Sequence, residues 1–154
     1  MKLIKPSFEI IEQEAGKEGL LRHIEKCGRT CYKSEDKITE DSAEKFVSML
    51  VNRGHTAMVE HGTVYLYDPT CVLLLEKYID NPYSSVVFTS DSEYKAYITT
   101  NYRVLLQNGW LDDLKYQCEP TEFHEKRVTV KFVCDRGVSH EFVRHRVFSF
   151  AQES

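Results

Sequence analysis

The chain has 154 residues, 42% of them hydrophobic and 12% aromatic, which is enough for one sizeable core and about one domain in length. Lys and Arg number 20 against 24 Asp and Glu, and this net charge of -4 argues against a nucleic-acid or membrane-surface protein built on a basic excess. The longest apolar run, Cys71 to Leu75, falls far short of the roughly 20 residues that a bilayer-crossing helix needs. The N-terminus passes from Lys2 and Lys5 straight to Glu9 and Glu12 with no apolar leader segment, so a cytoplasmic location is expected. Five cysteines form an odd, irregular set, and Cys27 and Cys31 are too far apart for a C-x-x-C pair, so free thiols are expected.

In chain order, residues 7 to 13 read as a short strand. From Gly16 a helical pattern puts Leu20, Leu21, Ile24 and Cys27 on one face, and Gly28 is expected to end it. Thr39 to Arg53 gives the clearest helix, with cap candidates in Thr39, Asp41 and Ser42, a stripe of Phe46, Met49 and Leu50, and Gly54 as the stop. Gly62 to Asp68 alternates as a strand, Val64 and Leu66 against Tyr65 and Tyr67. Asp68-Pro69 then suggests a cap and first helical position for a helix through Tyr78 that stops near Asn81-Pro82. Val86 to Phe88 and Tyr94 to Thr100 read as strands, Asn101 to Asn108 and Trp110 to Tyr116 as short helices broken at Gly109. Arg127 to Cys134 alternates as a half-buried strand with Val128, Val130, Phe132 and Cys134 on one face. Asp135 or Ser139 should cap a last helix running to about Arg146, followed by a turn or loop. No repeat or linker divides the chain, so residues 1 to 154 are expected to form a single α+β domain, with a mixed or antiparallel sheet and packed helices, incomplete at its C-terminus.

Two polar clusters hold four of the six histidines: His55 to His61, and His140 to Arg146. A zincin helix needs histidines four apart, whereas His140 and His145 are five apart, about 140° around a helix, and cannot chelate one ion from one face. Arg144, His145 and Arg146 place three potential cations at a helix C-terminus, with Glu141 one turn before Arg144 on the same face. Arginine forks suit phosphate oxygens and ring edges, and the segment Val147 to Ser154 adds hydroxyl, amide and carboxylate groups, so this is a candidate wall for a polar aromatic ligand. The same residues also read simply as cations complementing a helix dipole. No G-x-S-x-G elbow, no cysteine beside a histidine and no glycine-rich phosphate loop occurs.

Arg144-His145-Arg146, seven residues and then Ser154 resembles the R-H-R-x7-S signature of the flavin-dependent thymidylate synthases. His55 through Glu60-His61 is similar to that family's upstream H-x-x-x-x-E-H segment, and the approach from Val138 to Arg144 to its lead-in helix. The resemblance implies an FAD-dependent methyltransferase that makes dTMP from dUMP, with methylenetetrahydrofolate as carbon donor and NADPH reducing the flavin. It implies FAD contacts for His55, Glu60, Arg144, His145, Arg146 and Gln152, and dUMP contacts for Glu141, Arg144, Gln152, Glu153 and Ser154. Arg144 and Ser154 are the implied catalytic pair, with Ser154 a nucleotide-contacting hydroxyl rather than a nucleophile because no base adjoins it. A homotetramer with sites shared between subunits follows from the same resemblance, with dUMP and folate as small-molecule partners and neither nucleic acid, membrane nor metal involved.

Ala57 stands where many members of that family carry a hydroxyl residue, and Gln152 where an acidic one is frequent. Asp68 to Glu125 (68–125) lies between the two motifs as an insertion relative to that family. The family signature continues beyond the serine into a further nucleotide-binding half, so residues 1 to 154 are expected to be the N-terminal portion of such an enzyme, weak in FAD binding and inactive alone. The alternative expectation is a non-catalytic nucleotide- or protein-binding module that keeps the fold.

Overall fold

The computed structural model describes residues 4–90, 93–145 and 147–153. Its elements, in chain order, are strand β1 (Ser7–Ile11), helix α1 (Gly16–Cys31), helix α2 (Ser42–Asn52), strand β2 (Thr63–Asp68), one helical turn α3 (Leu75–Tyr78), strands β3 (Ser85–Thr89) and β4 (Lys95–Asn101), helix α4 (Tyr102–Asn108), strand β5 (Thr129–Val133) and helix α5 (Arg136–Phe142). Short 3-10 turns at Glu35–Lys37, Met58–His61 and Leu111–Tyr116 link them. The result is an α+β domain with two small antiparallel sheets: β2-β4-β3, and a separate ribbon of β1 and β5.

Helix α1 buries the expected face, with Leu20 and Ile24 fully enclosed and Leu21 and Cys27 nearly so. Gly28 does not end this helix, which runs on to Cys31. A Cβ at Gly28 would stand 2.7 Å from Phe46 Cε1, so the residue is a contact point that lets α2 approach α1 rather than a stop. Helix α2 ends as its sequence dictates. Gly54 adopts φ +72°, and the bonds Gly54 N–H to Val51 O (3.0 Å) and His55 N–H to Leu50 O (2.9 Å) close a Schellman motif. This fixes the direction in which His55 leaves the helix.

Strand β2 turns Val64 and Leu66 into the core against α1, α2 and α4, each such fully buried side chain contributing about 1.5–3 kcal/mol over its exposed state. Its other face is covered by the loop after residue 116, where His124 packs edge-on against Tyr65 and Tyr97. Segment 68–125 is folded into this same core through Leu74, Tyr78, Ala96, Ile98, Val104 and Leu105. Asn101 caps α4 by accepting from Val104 N–H at 3.1 Å, and Gly109 at φ +72° ends it.

Two further local expectations fail in this part of the fold. Pro69 does not open a helix: the Asp68 carboxylate folds back on Thr70 N–H (3.0 Å) and Leu74 N–H (2.9 Å), holding 69–74 as a turn and leaving helix only from Leu75. In β5 the apolar alternation is real but faces outward. Ile11, opposite Thr129, is buried, and the inner face is anchored by His23 to Thr129 Oγ1 (2.8 Å) and Lys131 to Glu35 (2.8 Å). Val128, Phe132 and Cys134 are therefore exposed together with Phe8 and Ile10, and Phe142 of α5 stacks on Phe132. Polar anchors, not the apolar count, decide which face of this two-stranded ribbon turns inward.

Candidate functional site

The Schellman turn after α2 delivers His55 to the rim of a cavity of about 490 Å³ lined by Cys31, Tyr32, Gly54, His55, Thr56, Ala57, Met58 and Arg103. Tyr32, just past the end of α1, hydrogen-bonds His55 Nδ1 through its hydroxyl, and the two rings stack with centroids 6.1 Å apart and planes 20° from parallel. One ring nitrogen of His55 is thereby engaged, and Nε2 makes no side-chain hydrogen bond among the described residues. Ala57 contributes no polar group to this wall.

Glu60 lies on the 3-10 turn that follows and is half-buried. Its carboxylate pairs with Arg103 Nη1 through one oxygen and accepts from Ser149 Oγ through the other at 3.0 Å. The neighbouring His61 has a buried Nε2 that is unpartnered among the described residues, and burial pushes its pKa below the usual histidine range. Thus the segment from His55 to His61 meets the segment after the arginines, across 89 residues of sequence. The tail is further fixed by Gln152 Nε2 donating to Ser139 Oγ (2.9 Å) and by an exposed pair of Glu153 with Lys33 (3.1 Å).

The remaining expected site residues are placed differently. Asp135 caps α5 by accepting from Val138 N–H (3.1 Å), and the helix ends at Phe142, short of the expected Arg146. Arg144 and His145 lie in the turn just beyond it, both exposed and outside the walls of the His55 cavity. Among the described residues Arg144 reaches only Glu141, at 3.4 Å, with both side chains about two-thirds or more exposed (74% and 69%). Arg146 and Ser154 lie outside the described residues.

Two features escape the sequence. Tyr32 and Arg103 line the cavity although neither belongs to a motif; Arg103 sits in the first turn of α4, where a cation opposes the helix dipole, and that misplacement is the one signal it gives. Cys118 lies 3.8 Å from His124 Nε2, a cysteine–histidine contact made by the loop rather than by adjacency. It is not an activated nucleophile: burial raises the thiol and lowers the imidazole, so both are neutral, and His124 Nε2 also bonds Leu66 O. Among the described residues no group of three or more His, Cys, Asp or Glu could hold a metal ion, and no helix is long and apolar enough to cross a membrane.

The class these elements define is an α+β domain with small antiparallel sheets and a cavity between the end of α1, the turn after α2 and the start of α4. No family model matches the chain, and neither a curated protein nor a solved structure shows significant similarity to it.

Proposed function

We propose that this chain carries part of the active site of a flavin-dependent thymidylate synthase, which methylates dUMP reductively with methylenetetrahydrofolate as carbon donor and FAD, reduced by NADPH, as hydride source. The observation that supports this reading best is the convergence at Glu60: the two segments that resemble the family's separate motifs are joined by Ser149 Oγ on the Glu60 carboxylate. The residues suit a flavin in kind, with the stacked Tyr32 and His55 rings offering an aromatic wall and the arginines offering planar donors.

In this reading the bound flavin supplies the hydride chemistry, and the chain binds and orients. His55, Glu60, Arg144, His145, Arg146 and Gln152 hold the cofactor; Glu141, Arg144, Gln152, Glu153 and Ser154 hold dUMP. The Arg144–Glu141 pair is exposed and contributes little, so a phosphate or ring edge can take over either partner at small cost. In this reading the site is shared between subunits of a homotetramer, with His55 and Glu60 serving a neighbour's flavin, and the position of Arg144 outside the His55 cavity of its own chain is compatible with that sharing.

The test is to incubate the full gene product with FAD, remove free flavin and follow tritium release from 5-labelled dUMP with NADPH and methylenetetrahydrofolate. A yellow protein that releases tritium, and an Arg144→Ala variant that retains less flavin, are expected. A colourless protein, or calorimetric titration with neither FAD nor dUMP, would overturn the reading in favour of a protein-interaction module.

A further inference from the structure

Tyr32 belongs to neither motif, yet two helix ends set its ring against His55. Helix α1 runs past Gly28, whose missing side chain gives Phe46 of α2 its room, and closes with Tyr32 N–H on Gly28 O at 3.1 Å. The Tyr32 and Phe46 rings then meet edge to face, with centroids 6.3 Å apart and planes 84° from parallel. On the other side the Schellman turn at Gly54 fixes where His55 leaves α2. The Tyr32 hydroxyl therefore reaches His55 Nδ1 from backbone that both helices hold in place.

The direction of that hydrogen bond decides what His55 can do. A phenol is a stronger acid than a neutral imidazole N–H, and an imidazole nitrogen is a stronger base than a phenol oxygen. Tyr32 accordingly donates and Nδ1 accepts, which puts the proton of the neutral ring on Nε2. A metal ion at Nε2 would need the lone pair that this proton occupies.

We propose that Tyr32 is a positioning residue that holds His55 as its Nε2–H tautomer, so that His55 meets a ligand in the cavity as a hydrogen-bond donor to a carbonyl oxygen or ring nitrogen. A flavin ring edge carries such acceptors. That the acceptor belongs to FAD rests on the thymidylate synthase reading; the tautomer does not.

The first measurement needs no ligand: proton–nitrogen correlation of the intact chain with nitrogen-15-labelled histidine at about pH 9, above the usual histidine range. The His55 signals are assigned by their loss in His55→Gln. A protonated Nε2 is expected, with Nδ1 unprotonated and shifted by the hydrogen bond it accepts. Tyr32→Phe, which keeps the ring and removes the hydroxyl, should return Nδ1 to the shift of a histidine without that bond. A protonated Nδ1 in the unaltered chain, or the same His55 shifts in both proteins, overturns the proposal. Should Tyr32→Phe fail to fold by circular dichroism, the unaltered chain decides: a Nδ1 without the hydrogen-bond shift overturns it equally.

In the full gene product, Tyr32→Phe should weaken FAD about twofold to tenfold, the worth of one hydrogen bond, and should add nothing in a His55→Ala background. Equal FAD binding by Tyr32→Phe, or a loss that persists without the imidazole, overturns action through His55. A product that binds no FAD but shows the expected His55 shifts sinks the synthase reading and leaves the tautomer standing. FAD bound with His55 shifts unmoved by Tyr32→Phe does the reverse.

Discussion

Acid should unfasten the β1–β5 ribbon through one histidine. His23 is 5% exposed on α1, its Nε2 2.8 Å from Thr129 Oγ1 of β5. Burial first, then the nearby His61 and Lys26, push its pKa from 6.5 down to about 4. A histidine depressed in the folded state takes up its proton more readily once unfolded. The stability it contributes is therefore fully present above pH 6.5 and is lost as pH falls towards 4. At 1.36 kcal/mol per pKa unit the full loss is about 3 kcal/mol, of which about 2 kcal/mol is gone by about pH 5.

The assay is urea unfolding at about pH 7.5 and about pH 5 for the unaltered chain and for His23→Gln, which keeps a donor and an acceptor but does not titrate. Burial lowers His61 and His124 as well, so the informative quantity is the difference between the two proteins' acid losses, not either loss alone. The unaltered chain should lose about 2 kcal/mol more than the variant over this range. Equal losses, or a His23 ring titrating at or above pH 6.5 by NMR, would refute the reasoning.

Gly28→Ala should destabilise by about 1–3 kcal/mol despite alanine's better helix propensity, because the new methyl meets Phe46 at 2.7 Å; a higher unfolding midpoint would contradict this. Asp113→Ala should cost about 1–3 kcal/mol, since Asp113 accepts from Lys77 Nζ (2.9 Å) and from the fully buried Tyr78 Oη (3.0 Å). The same substitution should cost less in a Tyr78→Phe background, and strict additivity in the double-mutant cycle would show that the pair does not interact. With iodoacetamide, exposed Cys134 should react first and Cys27 last, because burial pushes the Cys27 thiol up to about 11; comparable rates by peptide mass spectrometry would show that α1 opens readily.

What could be read from the sequence follows from what is local. The α1 face of Leu20, Leu21, Ile24 and Cys27, the β2 alternation, the Asp135 cap and the glycine stops at 54 and 109 depend on neighbours within about one helical turn or strand period, and all are present. The failures depend on partners far along the chain. A glycine inside a helix reads as a stop until Phe46 of another helix is set against it. A period of two says which residues of β5 share a face, but only His23 and Glu35, both on distant elements, say which face turns inward.

The candidate site divides in the same way. His55 and Glu60 are legible as one segment, and Ser149 as another, but their meeting is a product of the tail's path, which no periodicity encodes. The arginines expected at the heart of the site lie outside the cavity, or in the case of Arg146 outside the described residues, while the arginine that does line it comes from the segment with no motif. A cation in the first turn of α4 is unfavourable where it stands, and such a choice persists only where a distant group offsets it or a ligand needs it. Arg103 has the first in Glu60, whose carboxylate pairs with its Nη1.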